Sequence, residues 1–192
     1  MVATKSIYSE GTIHETPKGT VRILKRKRGS KKPVLVHPRL VIEILATGTV
    51  LDVQQGNLKA GKFTDYMERS VYGVGYLGSN ISIPNRKYGT IIRRVYDLWA
   101  NMLKRAYGGY KTCYRGATVE KRWHNFTNFL NTIHLVEGYD RWEKGENMHL
   151  DKDIKSGGKC REYSVENCIF VTSTENVSEM LKRRWHGTND SM

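Results

Sequence analysis

Cysteine is scarce in this chain: three residues, Cys113, Cys160 and Cys168, in a length of 192. None belongs to a Cys-x-x-Cys pair. That spacing argues against a disulfide framework and against a structural zinc site, and the thiols read as reduced. No apolar run approaches the length of a membrane span, and the N-terminal stretch has no apolar signal core. No amphipathic basic helix or lipidation signal marks a membrane-surface protein. No internal repeat is visible. A reducing cytoplasm is the expected compartment, with no membrane partner.

Acidic side chains are also in short supply. Lys and Arg number 32 against 19 Asp and Glu, which leaves a net charge of +13. Such an excess is matched by phosphate, since each neutralised phosphate releases counterions. Double-stranded DNA is the expected partner, with RNA or a nucleoprotein as the alternative; oligomeric state is not legible. The charge is uneven: residues 1–90 hold 15 basic and 6 acidic side chains, and residues 91–192 hold 17 and 13. Within the first half, Lys25, Arg26, Lys27, Arg28, Lys31 and Lys32 place six cations in eight positions. That run is either a solvated loop or a track for a nucleic-acid backbone, and the overall charge favours the track.

Hydrophobic residues make up 39% of the chain, enough to fill a core. Their periodicity predicts an α+β protein: a small antiparallel β region, a helical middle, and a C-terminal strand–strand–helix unit. Residues 1–18 read as a flexible arm, 19–89 as a basic β-rich region that binds nucleic acid, 90–185 as a helical and ββα domain, and 186–192 as a loose tail. Val21 and Ile23, Val34 to Val36, Val41 to Leu45 and Val50 to Val53 read as strands. The glycine-rich stretch Tyr72 to Gly78 lacks a full dinucleotide fingerprint and reads as tight turns beside packed tyrosines. Ile91 to Ala106 repeats apolar residues at three- and four-residue steps, a helix whose polar side carries Arg93 and Arg94. Residues 123–135 give a second helix, and 137–147 a polar, acidic connection. Met148 to Ile154 and Cys168 to Val171 read as paired strands. Thr172-Ser173-Thr174-Glu175 is a capping box opening a last helix to about Arg184.

Along the Met148 strand, alternation puts His149, Asp151 and Asp153 on one face. Two carboxylates and an imidazole suit a hard cation and a water to be activated, since Mg²⁺ needs only one or two carboxylates beside substrate phosphate oxygens. Asn176, in the first turn of the last helix, is expected to point back towards that strand. The other histidines are scattered, without metal-ligand spacing.

Leu150-Asp151-Lys152-Asp153, Ser164 to Thr172 and Glu175-Asn176 together resemble the HNH, or ββα-metal, nucleases of phages and mobile introns. That family reads roughly Val-Asp-His, a loop, Asn-Leu-Arg-Trp-Val-Thr, then a helical Asn. The resemblance covers about 30 residues, and several spaced positions agree. It implies a Mg²⁺- or Mn²⁺-dependent DNA endonuclease acting in a bacterial host cell, with Asp151 and Asn176 as metal ligands, Asp153 beside them and Asn167 as a brace. Glu43 to Thr49, Gly61, Val71 to Gly78, Tyr96 to Met102 and Trp123 to Phe126 are similar to segments of small phage proteins assigned to the same class. One position departs. Where the family has its general-base His, this chain has Lys152. Free lysine titrates at about 10.4 and is a poor base at neutral pH. His149 or Lys152 would then ready the water; alternatively, Asp151, Lys152 and Asp153 form only a salt-bridged cluster in an inactive binding protein.

Overall fold

A computed structural model describes residues 7–27, 38–109 and 115–189, with side chains described to residue 182. The chain forms two compact units, Met1–Glu68 and Arg69–Met192. Both helices and strands are present, and the N-terminal sheet is antiparallel, as expected. Arg28, Lys31, Lys32 and the expected strand at 34–36 lie outside the described residues.

In the first unit, β1 (Ile13–Thr16), β2 (Gly19–Lys27), β3 (Arg39–Ile44) and β4 (Thr49–Gln54) pair in chain order. α1 (Gln55–Lys59) follows. Period-two alternation sends Val21, Ile23, Leu40, Ile42, Leu51 and Val53 to one face, where Tyr8 and Leu58 complete the core. The expected arm at 1–18 is corrected here, because Ile13–Thr16 is a strand. Its burial is slight, so it carries no hydrophobic signature; the short turn at Pro17-Lys18 brings it back against β2, Thr16 opposite Gly19.

A bulge in β2 has a larger consequence. Ile23 lies opposite Ile42, but Lys25 lies opposite Val41, so Leu24 is the extra residue. In a regular strand Lys25 and Lys27 would follow Val21 and Ile23 into the core. The inserted residue flips them to the solvent face.

In the second unit, α2 (Ile91–Tyr107) is capped by the Thr90 hydroxyl, which accepts from the Arg93 N–H at 3.3 Å. It buries Val95, Trp99, Met102 and Leu103, spaced as one helical face requires. Val71, Val74, Leu77, Ile81 and Ile83 pack on that core. Residues 69–89 therefore belong to this unit, and the compact boundary falls at 68/69 instead of 89/90. The helix expected over 123–135 is interrupted. Lys121–His124 is a 3₁₀ turn, α3 spans Phe126–Thr132, and a second 3₁₀ turn spans Ile133–Leu135. Asn125 causes the break: its side chain accepts from the N–H groups of Thr127 and Asn128 and starts a new helix.

The connection at 137–147 holds α4 (Tyr139–Glu143), which the acidic composition concealed; Trp142 is its buried anchor. β5 (Thr118–Val119) pairs in parallel with β7 (Glu162–Tyr163), and β6 (Met148–Asp151) pairs antiparallel with β8 (Ile169–Thr172). α5 (Ser173–Asn189) follows β8 directly. It runs past the expected end at Arg184, so residues 186–189 continue the helix; the lone Gly187 costs about 1 kcal/mol against Ala and does not by itself stop one.

Candidate functional site

The antiparallel register sets His149 opposite Val171 and Asp151 opposite Ile169. Met148 and Leu150 are buried, while His149 and Asp151 share the other, half-buried face. The capping box at the start of α5 is formed as expected. The Glu175 carboxylate accepts from the Thr172 N–H at 2.7 Å, and the Thr172 hydroxyl accepts from the Glu175 N–H at 3.2 Å. The first of these bonds holds the Glu175 carboxyl below its ordinary range. With α5 so fixed, Ser173 Oγ lies 2.9 Å from His149 Nε2. No sequence signal predicts that pair, because it depends on the β6–β8 register.

β6 ends at Asp151, earlier than the expected Ile154. Asp151 Oδ1 accepts from the N–H groups of Asp153 (2.7 Å) and Ile154 (2.9 Å), folding the chain into a turn at once. Asp153 therefore does not continue the His149–Asp151 face. It pairs with Lys152, whose ammonium donates to Asp153 Oδ1 and lies 5.6 Å from the centre of the Tyr163 ring. The Lys152 side chain is only 8% exposed. An ammonium so enclosed is not offered to solvent, and the salt-bridged arrangement of Lys152 and Asp153 is present. Asn167 Nδ2 donates to the Glu162 carbonyl at 3.3 Å, and the Asn167 N–H donates to Ser164 Oγ at 3.2 Å. These bonds close the turn that leads into β8. Asn176 is half-buried in the first turn of α5.

Among the described residues, no three His, Cys, Asp or Glu side chains converge as a metal cluster. The expected oxygen donors on β6 and in the first turn of α5 are the Asp151 carboxylate, whose Oδ1 already accepts two backbone N–H groups, and the Asn176 amide. Both are hard oxygen donors of the kind Mg²⁺ accepts, with the rest of its shell left to water and phosphate. The backbone bonds to Oδ1 also hold the Asp151 carboxylate in a fixed orientation. In donor chemistry alone, these two residues suit a cation held mainly by water and substrate.

The expected backbone-gripping residues divide. Lys25 and Arg26 are exposed. Lys27 and Arg39 both engage Asp52, at 2.6 and 2.8 Å, and Arg22 engages Glu43 at 2.8 Å, so the outer sheet face is a partly compensated ladder. The Lys27 hydrogen bond leads the effects that hold the Asp52 carboxyl below its usual range. Arg93 and Arg94 are spent inside the unit. Arg93 pairs with Asp97 at 2.6 Å. Arg94 donates to the carbonyls of Trp142 and Glu143 and stacks 4.6 Å from the centre of the Trp142 ring. Their helix face is polar in sequence; Asp97 of the same helix engages Arg93, and α4, which the sequence did not reveal, engages Arg94.

Compared with known proteins, the chain matches no family model, no curated protein and no solved structure. Among the described residues, no helix is long and apolar enough to cross a membrane.

Proposed function

We propose that this chain binds duplex DNA and that its β6–β8–α5 unit is a divalent-cation-dependent endonuclease site of the ββα-metal type. The observation that carries the reading is the shared face of His149 and Asp151 on β6, with β8 beside it and Asn176 at the start of the helix that follows. Asp151 and Asn176 would hold Mg²⁺ or Mn²⁺, which supplies charge stabilisation at a scissile phosphate. His149, steadied by Ser173, is the group placed to take a proton from water; Lys152 holds the turn through Asp153. Asn167 braces the loop. Lys25 and Arg26, with the neighbouring Arg28, Lys31 and Lys32 of the sequence run, are the backbone contacts, and Arg93 and Arg94 are withdrawn from that role.

Supercoiled plasmid incubated with Mg²⁺ or Mn²⁺, with an EDTA arm, tests the reading. Asp151→Ala should abolish nicking while leaving duplex affinity intact or stronger. His149→Ala should slow it by about 10²-fold, the loss typical of a missing general base. Lys152→His restores the family's Asp-His pair and should raise the rate. If wild type and Lys152→His both leave plasmid untouched, the endonuclease reading fails. The burial of Lys152 against Asp153 and Tyr163 supports a second reading: the same unit acts as a binding module without cleavage. Duplex affinity that falls with salt, with a log–log slope of magnitude about 4 for five phosphates, is expected under both.

A further inference from the structure

Among the described residues, Tyr72 is the one non-glycine residue with positive φ, at 51°. A large side chain is disfavoured there on steric grounds, and glycine or asparagine would adopt the same turn more readily. Nor is the ring recruited to the core, since Tyr72 is 43% exposed. The turn that displays it is firmly seated. Val71 and Gly75 exchange backbone hydrogen bonds of 3.0 and 2.8 Å. Gly75 is pressed so closely against Trp99 and Leu103 that no side chain fits. The Tyr76 N–H donates to the His124 carbonyl at 3.0 Å, and the Phe126 N–H donates to the Tyr76 carbonyl at 2.8 Å. An aromatic ring is therefore held out to solvent, in a strained backbone conformation, on a base bolted to the core.

Cations adjoin it. Arg69 is exposed, three residues before Tyr72, and Lys121 is exposed at the start of the 3₁₀ turn that ends in His124. Neither forms an ion pair among the described residues. Both lie near enough to His124 for their charges to act on it: burial first, then Arg69 and Lys121, hold its imidazole below the usual range. Glu120, the acid beside Lys121, is directed to Arg122 at 3.8 Å; the exposed Glu68 precedes Arg69.

We infer that Tyr72, Arg69 and Lys121 form a second nucleic-acid subsite that takes an unpaired nucleotide, its base on the Tyr72 ring and its phosphates against the two cations. A paired base within a duplex has both faces covered, whereas a single displayed ring suits a base that is unstacked. This inference rests on the chain's being a nucleic-acid binder, but it uses no residue of the β6–α5 site. The ring and cations serve DNA and RNA alike.

Fluorescence anisotropy with a labelled oligo(dT), an oligo(rU) of equal length and a duplex distinguishes the cases. Tyr72→Gly fits the backbone at φ 51°, and the strain it relieves offsets the freedom it adds to the unfolded chain, so the turn should survive with little change in melting temperature. It should also weaken single-strand binding by about tenfold, the value of one stacked base, and change duplex affinity by less than about twofold. Tyr72→Phe should retain the single-strand affinity. Arg69→Ser with Lys121→Ser should reduce the single-strand salt slope by about 1.4, two phosphates' worth. The preferred oligomer identifies DNA or RNA as the ligand. Single-strand affinity unchanged in Tyr72→Gly, or a wild type that binds duplex alone, overturns the subsite and leaves the duplex reading standing. A wild type that binds none of the three overturns both.

Discussion

Replacing Lys152 by Met separates a structural ammonium from one that serves a phosphate. Met keeps most of the aliphatic stem and removes the charge, so the main interaction lost is the pair with Asp153, with the weaker contact to the Tyr163 ring beside it. Removing one partner of a fully buried pair costs about 3–5 kcal/mol, and losing an exposed pair about 0.2–1 kcal/mol. Here the Lys152 side chain is 8% exposed and Asp153 is 35% exposed. The carboxylate left behind can rehydrate, which places the loss between these limits, at about 1–2 kcal/mol. For a protein of this size that lowers the melting temperature by about 2–8 °C. Calorimetry on the full chain should show this drop, with duplex affinity within about twofold of wild type because the enclosed ammonium meets no phosphate. A double-mutant cycle with Asp153→Asn should return a coupling of about 1 kcal/mol. The reasoning is refuted if Lys152→Met melts at the wild-type temperature while duplex affinity falls, since the ammonium would then be serving DNA.

Three other outcomes follow from the second unit. Burial pushes the Asp97 carboxyl up, but Arg86 and Arg93 outweigh it and hold it below its ordinary value. Its stabilising contribution is present above the unfolded value of 3.8 and is lost as pH falls through the depressed folded value, so Asp97→Asn should flatten the acid limb of a melting-temperature profile. Burial pushes the Cys168 thiol up to about 12 from 9.0. Alkylation at neutral pH should therefore spare Cys168 and modify the half-exposed Cys160, and the Cys168 contribution to stability should decline as pH rises from 9.0 towards 12. A Cβ at Gly75 would lie 2.9 Å from two Trp99 ring carbons and clash with Leu103, so Gly75→Ala should cost about 1–3 kcal/mol in thermal denaturation.

What the sequence determined by itself was local. Alternation marked β3 and β4, the three- and four-residue steps marked α2, and the capping box marked the start of α5, because each of these signals arises from neighbours within one or two turns of chain. The Asp151, Asn167 and Asn176 spacing was read from a resemblance, and the excess positive charge from composition. Tertiary structure decided the rest. β1 is an edge strand that buries little, so pairing, and not pattern, defines it. The bulge at Leu24 turns Lys25 and Lys27 outward, a choice of register that composition does not encode. Arg93 and Arg94 look free on a helical wheel, yet Asp97 and the carbonyls of α4 engage them. Lys152 and Asp153 leave the strand face because the Asp151 carboxylate captures the two N–H groups that would otherwise extend β6. Except for the Arg93–Asp97 pair, which is one helical turn apart, the deciding partner is remote in sequence or is a backbone group whose availability depends on the fold, and contacts of that kind leave no periodicity to read.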